Sequence, residues 1–557
     1  MIAWPESARA CPLWDADLPR PERVVACPPS PRPLLLQAAL LAALERAPLW
    51  IEGEGADLSR HLRRTGAREA TLIGDSPLSL PKGIKRRRLQ NVQAVAAACR
   101  RSLKADLGVA DAVVSNPADL ARGPSSLSAL APWLAATKRA ALLLTDEAGR
   151  DVQALVEGVA TERLDGLVLL GDLQAIPTWQ RPNPIPDDKD KVIDLEPLTP
   201  TAASGQPVSY AVGRLFHEDR AVVPLMLARQ RLAARPGPRR ALVASNPGGG
   251  LPLLEAFSRT TALELGNAGY EVTERYGDEL NGRVLRKQLP RHDVVLWEGH
   301  HNTLVKEWGF LSWDEPLPAS FVFLQSCLAL MPEKVQPLLS RGALGVVGTS
   351  TRTYSASGGA FSLAYFDALL YEGQSAGGAL RQAKNFLLAY AALKEKRLGA
   401  AAKRTGANHR AAWAFSLWGD PTYHLPRPGG RPKLPPVRHK VEGGEIVLSV
   451  PEETHPRVSS ERYRAQMTPN GRLAGLVRVG DAREVVPLVF AEVRLPAARP
   501  DRAPRLKSRL PGRSFVFRWD GRRKAGWLLA TPRPDDQGEM RFRVDWPGVR
   551  VAEKMTR

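Results

Sequence analysis

The sequence predicts an α/β fold built on a parallel sheet, with an α/β N-terminal subdomain ahead of it and an all-β domain behind it. Three observations carry this. Short apolar runs of the kind found in buried strands alternate with helical patterns as far as residue 425, as parallel strands and crossover helices do. A strand–helix–strand unit closing on Gly-Asp occurs twice, across residues 48–75 and 140–172, and suggests a duplicated βαβ half. Beyond the Pro- and Gly-rich stretch Pro426–Pro436 the helical period stops and only short alternating runs follow.

Taken in order, residues 1–33 are rich in Pro and Arg and read as an irregular arm. Leu34–Arg46 has helical spacing. Pro48–Gly53 and Ala70–Asp75 are strands around a helical stretch, and Ala140–Asp146 and Gly166–Asp172 are strands around the helix Val152–Val159. Thr178–Gly205 carries several Pro and Asp residues without periodicity and reads as an exposed loop. Ser209–Arg214 is a strand, and Val222–Arg235 a helix stopped by Pro236-Gly237-Pro238. The strand Arg240–Asn246 runs into Pro247-Gly248-Gly249-Gly250, followed by the helix Leu254–Gly266, the strand Tyr270–Tyr276 and the helix Leu280–Leu289. Two apolar runs come next, Asp293–Glu298 and Phe321–Gln325, then the strand Ala343–Thr349 and the helices Gly359–Tyr371 and Ala376–Leu393. Residues 394–410, with Lys394, Lys396, Arg397, Lys403, Arg404 and Arg410, read as a solvated linker or a cleavable segment. Trp413–Asp420 is the last α/β element. The runs from Glu445–Val450 to Met540–Trp546 predict a sandwich. The expected divisions are the arm at 1–33, an α/β subdomain at 34–205, a second at 206–425 and a β-sandwich at 437–557.

A chain of 557 residues exceeds the capacity of one core. Leu34–Leu44 is only about half a membrane span and is followed by Glu45 and Arg46, so no span is expected. Met1 leads into Trp4-Pro5-Glu6 with no basic-then-apolar leader, so a cytoplasmic protein is expected, or a secreted one where a leader has been removed. The formal charge of +20 comes mostly from scattered Arg; only Lys85-Arg86-Arg87-Arg88 is dense, and no aromatics interleave with it. That pattern is read as a solvated surface rather than a nucleic-acid platform. The four cysteines, Cys11, Cys27, Cys99 and Cys327, show neither metal spacing nor disulfide density.

The two apolar runs each end in reactive chemistry. The first continues into Glu298-Gly299-His300-His301 and the second into Gln325-Ser326-Cys327. In parallel sheets chemistry gathers at the carboxyl ends of strands, so an imidazole and a thiol are expected at one edge. A thiol is only a few per cent ionised at neutral pH, and a neighbouring imidazole takes its proton or holds the thiolate as an ion pair. Either His300 or His301 can be that base. No further Cys or His stands near to complete a metal site, so none is expected. Backbone N–H groups at Cys327 and at the residue after the base would meet an oxyanion.

Gly299-His300 followed by a strand ending in Cys327 resembles the gingipain-type cysteine peptidases, relatives of caspases. Four further stretches agree in order: Val168–Asp172 with Ile176-Pro177, Val212-Gly213-Arg214, Gly342–Ser357, and Trp418-Gly419-Asp420-Pro421-Thr422. The resemblance covers roughly residues 110–425 and implies a caspase-like sheet with 206–425 as the catalytic subdomain, followed by an immunoglobulin-like domain. It implies Cys327 as nucleophile and His300 as base in an endopeptidase acting on protein or peptide substrates. Gly normally follows the histidine; here His301 does, leaving it as oxyanion amide or alternative base. The place of the family's histidine-orienting carboxylate falls at Ser245-Asn246-Pro247, making Asn246 the candidate. An acid at Glu255 would serve a basic P1 side chain, and Thr353, Tyr354 and Ser355 match the pocket wall. No cofactor is required, and structural calcium is implied only by the family. The alternatives are an inactive caspase-fold interaction protein, favoured by His301, or a basic nucleic-acid-binding protein.

Overall fold

The computed structural model describes residues 21–545, apart from 54–56, 76–78, 104–108, 123–125, 200–205, 234–236, 249, 399–405, 427, 429–438, 451–456, 460–463, 467–473, 480–481, 497, 499–500, 509–514 and 532–537. Most of the expected arm, and Lys403 and Arg404 of the basic segment, lie outside the described residues. Contacts divide the chain into Met1–Pro177 with Glu218–Arg220, and Thr178–His217 with Ala221–Arg557.

The first unit holds two parallel arrays of strands. Strands β1 (Arg23–Cys27), β2 (Leu49–Ile51), β3 (Glu69–Ile73) and β4 (Lys85–Leu89) pair in the order β2-β1-β3-β4. Helices α1 (Arg32–Leu44) and α2 (Leu58–Thr65) connect β1 to β2 and β2 to β3, and α3 (Val92–Ser102) follows β4. Strand β1 corrects the expected arm within its described residues: Val24–Cys27 are fully buried, and an apolar run of that length pairs rather than hangs free. The dense basic run is the edge strand β4. Lys85 meets Glu69 at 2.9 Å and Arg87 meets Glu45 at 2.9 Å, and charged edges of this kind keep a sheet from adding strands. Farther on, β5 (Asp111–Ser115), α4 (Ala131–Lys138), β6 (Ala141–Leu144), α5 (Val152–Val159) and β7 (Gly166–Leu170) form a parallel array with β5 between β7 and β6.

The second unit opens with an antiparallel hairpin, β8 (Trp179–Pro182) and β9 (Val192–Leu195). This corrects the expected exposed loop: Ile193 and Leu195 are buried in the main core, and Glu196 behind them receives a two-pronged salt bridge from fully buried Arg214 (2.7 and 2.9 Å). The hairpin thus groups with the second unit, so the contacts divide the chain at 177/178 and not at 205/206.

The main sheet of this unit contains β10 (Ala211–Leu215), β11 (Arg240–Ser245), β12 (Glu271–Tyr276), β13 (Val294–Glu298), β14 (Phe321–Gln325), β15 (Gly345–Thr349) and β16 (Phe415–Gly419), in the order β12-β11-β13-β14-β15-β16-β10. Only the β15–β16 pair is antiparallel. Strands β13 and β14 are buried along their whole length, which explains their unbroken apolar runs. Crossovers are made by α6 (Val222–Ala233), α7 (Pro252–Asn267), α8 (Gly282–Gln288), α9 (Pro332–Arg341), α10 (Ser355–Leu370), α11 (Ala376–Leu398) and α12 (Gly406–Ala414). The order reverses at β11: β12 lies on one side of it and β13 on the other. Such a switch point opens a crevice at the strands' carboxyl ends.

Two motifs singled out in the sequence meet as packing elements. A Cβ on Gly213 would lie 2.5 Å from Gly419 O and 2.8 Å from Pro421 Cδ, so the backbones approach as only glycine allows. The basic segment is not wholly solvated: α11 continues to Leu398, Lys394 lies 4.3 Å over the Tyr390 ring, and Arg410 is fully buried.

After β16 the chain is antiparallel β. Strands β17 (His439–Glu442), β18 (Glu445–Val450), the hairpins β19 (Arg457–Ser459) with β20 (Arg464–Gln466) and β21 (Ala474–Val479) with β22 (Ala482–Pro487), and β23 (Val489–Arg494), β24 (Arg505–Lys507), β25 (Phe515–Asp520), β26 (Ala525–Ala530) and β27 (Gly538–Asp545) follow. The sheets β17-β18-β27-β24 and β23-β26-β25 share a core of Ile446, Leu448, Val493, Leu528 and Phe542. The other face of β23-β26-β25 packs on α11, with Phe386 edge-on to Phe490 at 5.6 Å, and Glu492 is held between Arg381 (3.0 Å) and Arg523 (3.3 Å). Among the described residues no helix is long and apolar enough to cross a membrane.

Candidate functional site

The carboxyl edge of β11, β13 and β14 carries the expected residues. The last paired positions across these strands are Ser245, Glu298 and Gln325. His300 and Cys327 each follow that row by two residues, in the segments just past the ends of the adjacent parallel strands β13 and β14. His300 is exposed and Cys327 half-buried. Cys327 Sγ rests on the loop between β15 and α10: the Thr353 N–H donates to it at 3.4 Å, and it donates to Thr353 O at 3.7 Å.

The backbone around the thiol is held in an uncommon shape. Leu328 has φ +54°, which a branched side chain adopts at a cost of about 1 kcal/mol or more. Its N–H donates to Thr351 O (3.0 Å), its carbonyl accepts from Lys334 Nζ (2.5 Å), and Thr349 Oγ1 donates to Ser326 O (2.9 Å). Lys334, which sequence reasoning missed, thereby fixes the residue after the thiol. Burial lowers its pKa from the ordinary lysine value.

The two histidines differ. Burial, then the charges of Lys334 and Lys306, push the His301 pKa below the ordinary imidazole value against the pull of Glu333. His301 begins the short helical turn running to Glu307, where first-turn amides lack intrahelical acceptors. The neighbouring amides of Gly299 and Leu328 are committed, to Gln325 O (3.2 Å) and Thr351 O (3.0 Å).

Two predicted residues have local partners. Asn246, at φ +53°, accepts from Leu251 N–H at 2.8 Å through its side-chain oxygen, shaping the turn into α7. Glu255, in the first turn of α7, is paired with Arg259 one turn on (2.8 Å), and Arg259 also lies over the Tyr276 ring (4.1 Å). Its charge is therefore already met within the helix. Thr353 touches the sulfur, Tyr354 carries a partly exposed ring, and Ser355 starts α10.

The carboxylate that sequence reasoning overlooked is Glu298. It is fully buried one position before Gly299, and accepts from Ser258 on α7 and from Ser362 on α10 (2.5 Å). Burial lifts its pKa to about 7, against the two hydroxyl bonds. A charge closing an apolar run was the available signal. Because the folded pKa is raised, the neutral carboxyl contributes fully below about pH 4.5, and that contribution is lost as pH rises through 7. Glu298→Gln is expected to remove this dependence: between about pH 5 and pH 8 the wild type should lose roughly 3 kcal/mol more unfolding free energy than the variant. Urea titrations of both proteins at the two pH values check this, and parallel losses would contradict it.

No family model matches the chain, and no curated protein matches it. Among solved structures it is similar to the Arg-specific cysteine proteinase gingipain R, with 12% identity, a TM-score of 0.39, and 68% of this chain and 91% of that one covered. It is also similar to the complex of Porphyromonas gingivalis RgpB pro- and mature domains, at 12% identity and TM-score 0.40, covering 68% of this chain and 93% of that one. A chain of the Saccharomyces cerevisiae separase–securin complex matches at 12% identity and TM-score 0.28, over 38% of this chain and 14% of that one.

Calcium takes six or more oxygen ligands. Among the described residues no group of three or more His, Cys, Asp or Glu converges as such a shell needs.

Proposed function

We propose that the protein is a cysteine endopeptidase in which Cys327 attacks the peptide carbonyl and His300 moves the proton. The observation that supports this is the shared register: Cys327 and His300 each follow the paired Gln325 and Glu298 by two positions, past the carboxyl ends of adjacent parallel strands. His300 takes the Cys327 proton and the thiolate adds to the carbonyl carbon. The resulting oxyanion is met by the amides of Cys327, in the turn after β14, and His301, at the start of a helical turn. His300 returns the proton to the leaving amine, the C–N bond breaks, and a thioester remains. Water, deprotonated by His300, adds to it, the acyl C–S bond breaks, His300 returns the proton to the Cys327 sulfur, and the acid departs. No organic cofactor enters the reaction.

On this reading the terminal sandwich is an immunoglobulin-like module carried behind the catalytic part. A basic P1 preference has weaker support, since Glu255 already has Arg259. A second reading, an interaction protein that keeps the fold without the chemistry, is favoured by His301 in place of a small residue.

A P1-randomised peptide library incubated with wild type and Cys327→Ala separates the two. Wild type should release products with a defined P1 and the variant none. Identical product profiles would remove the peptidase reading.

A further inference from the structure

We propose that Asp188, clamped by Arg410, is a positioning residue for Cys327, acting through Tyr354 and the Thr353 main chain. This rests on the reading of Cys327 as nucleophile and extends the site to the loop between β8 and β9.

Arg410 on α12 is buried to 1% side-chain exposure, where a cation is costly unless paired. Its Nη1 meets Asp188 at 2.7 Å and its Nη2 meets Asp190 at 2.6 Å. The two acids are not a loose cluster, because the loop is folded on itself. Asn183 Nδ2 donates to Asp190 O (2.6 Å), Ile185 N–H to Asn183 Oδ1 (3.1 Å), and Asp190 N–H to Asp188 Oδ1 (3.0 Å). The helix start abuts the same loop: a Cβ on Gly406 would lie 2.5 Å from Pro184 O.

From this anchor the contacts run toward the thiol. Asp188 accepts the Tyr354 hydroxyl. Although burial works the other way, the bonds from Tyr354, the Asp190 N–H and Arg410 hold Asp188 down to about 2, so it stays a charged acceptor at neutral pH. Arg352 reaches Asp190 at 3.7 Å, and Ser350 Oγ donates to Asp194 O at 3.0 Å. Both ends of the Ser350–Tyr354 segment are thus tied to the hairpin. Between the ties, Thr351 O holds the Leu328 amide and Thr353 holds the sulfur through its N–H and carbonyl. Arg410, Asp188 and Tyr354 form no hydrogen bond with the sulfur; they set where Thr353 stands.

Tyr354→Phe removes one partly exposed hydroxyl and leaves the ring. Asp188→Asn keeps a hydrogen-bonding group and removes the charge. For both, the rate of Cys327 alkylation by iodoacetamide is read by peptide mass mapping, alongside kcat and KM on a peptide the wild type cleaves. Cys27 and Cys99, buried with thiol pKa values pushed up to about 12, are the unreactive internal controls. Loss of a charged hydrogen bond should free the Thr353 segment, speeding alkylation by about threefold or more while kcat falls by at least a similar factor. A merely structural loosening would lower thermal stability without this opposed pair of changes. Any smaller rise in alkylation, or a fall, in both variants overturns the proposal. If wild type cleaves no peptide, the peptidase reading fails on its own, and the alkylation rates still decide the positioning role.

Discussion

Cys327→Ala is expected to lower peptide hydrolysis by about ten-thousand-fold or more in kcat, to the level that binding and backbone donors alone supply. Among the described cysteines only Cys327 is partly open to solvent. Burial pushes Cys27 and Cys99 up to about 12, so neither offers a thiolate near neutral pH. The substitution removes one weak acceptor from the Thr353 N–H and one weak donor to the Thr353 carbonyl, so the fold and its thermal midpoint should stay close to wild type. Steady-state kinetics with a cleaved peptide and a melting curve check both halves. Residual activity within tenfold of wild type would place the chemistry elsewhere.

His300→Ala is expected to cost about a thousandfold in kcat/KM, and His301→Ala less than about tenfold. The argument is one of position and charge. His300 follows the end of β13 by two residues, as Cys327 follows the end of the neighbouring β14, and it is exposed to solvent. His301 is partly buried, and burial with the Lys334 and Lys306 charges disfavours its protonated form. It is therefore the weaker partner for a thiolate, and on the proposed mechanism its amide acts as an oxyanion donor whatever the side chain. Steady-state kinetics of both variants check this: the loss should be large in His300→Ala and small in His301→Ala. The reverse pattern would make His301 the base.

The strands that build this edge were legible because β13 and β14 are buried on both faces, which forces continuous apolar runs such as Val294–Trp297 and Phe321–Leu324. The hairpin β8–β9 was not, because its buried face is only Ile193 and Leu195 amid Pro and Asp. Strand β4 was hidden by its own charges, Lys85 to Arg88, which an edge strand can carry and a central one cannot. Within the site, Cys327 and His300 follow from strand ends, a local signal. Glu298 is held by Ser258 and Ser362, forty and sixty-four positions away, and Arg410 meets Asp190 across 220 positions. No local pattern reports partners that distant. Asn246 and Glu255 have residue types that suit catalysis or recognition, and each also bonds within its own turn or helix.

The most direct measurement is mechanism-based labelling with a peptidyl acyloxymethyl ketone, followed by intact mass and peptide mapping. Such a reagent needs an activated thiol to expel its carboxylate. The account predicts one adduct per chain, on Cys327, in wild type, and none at the same exposure in His300→Ala. Absence of an adduct on Cys327 across all P1 side chains, or equal labelling in His300→Ala, would contradict it.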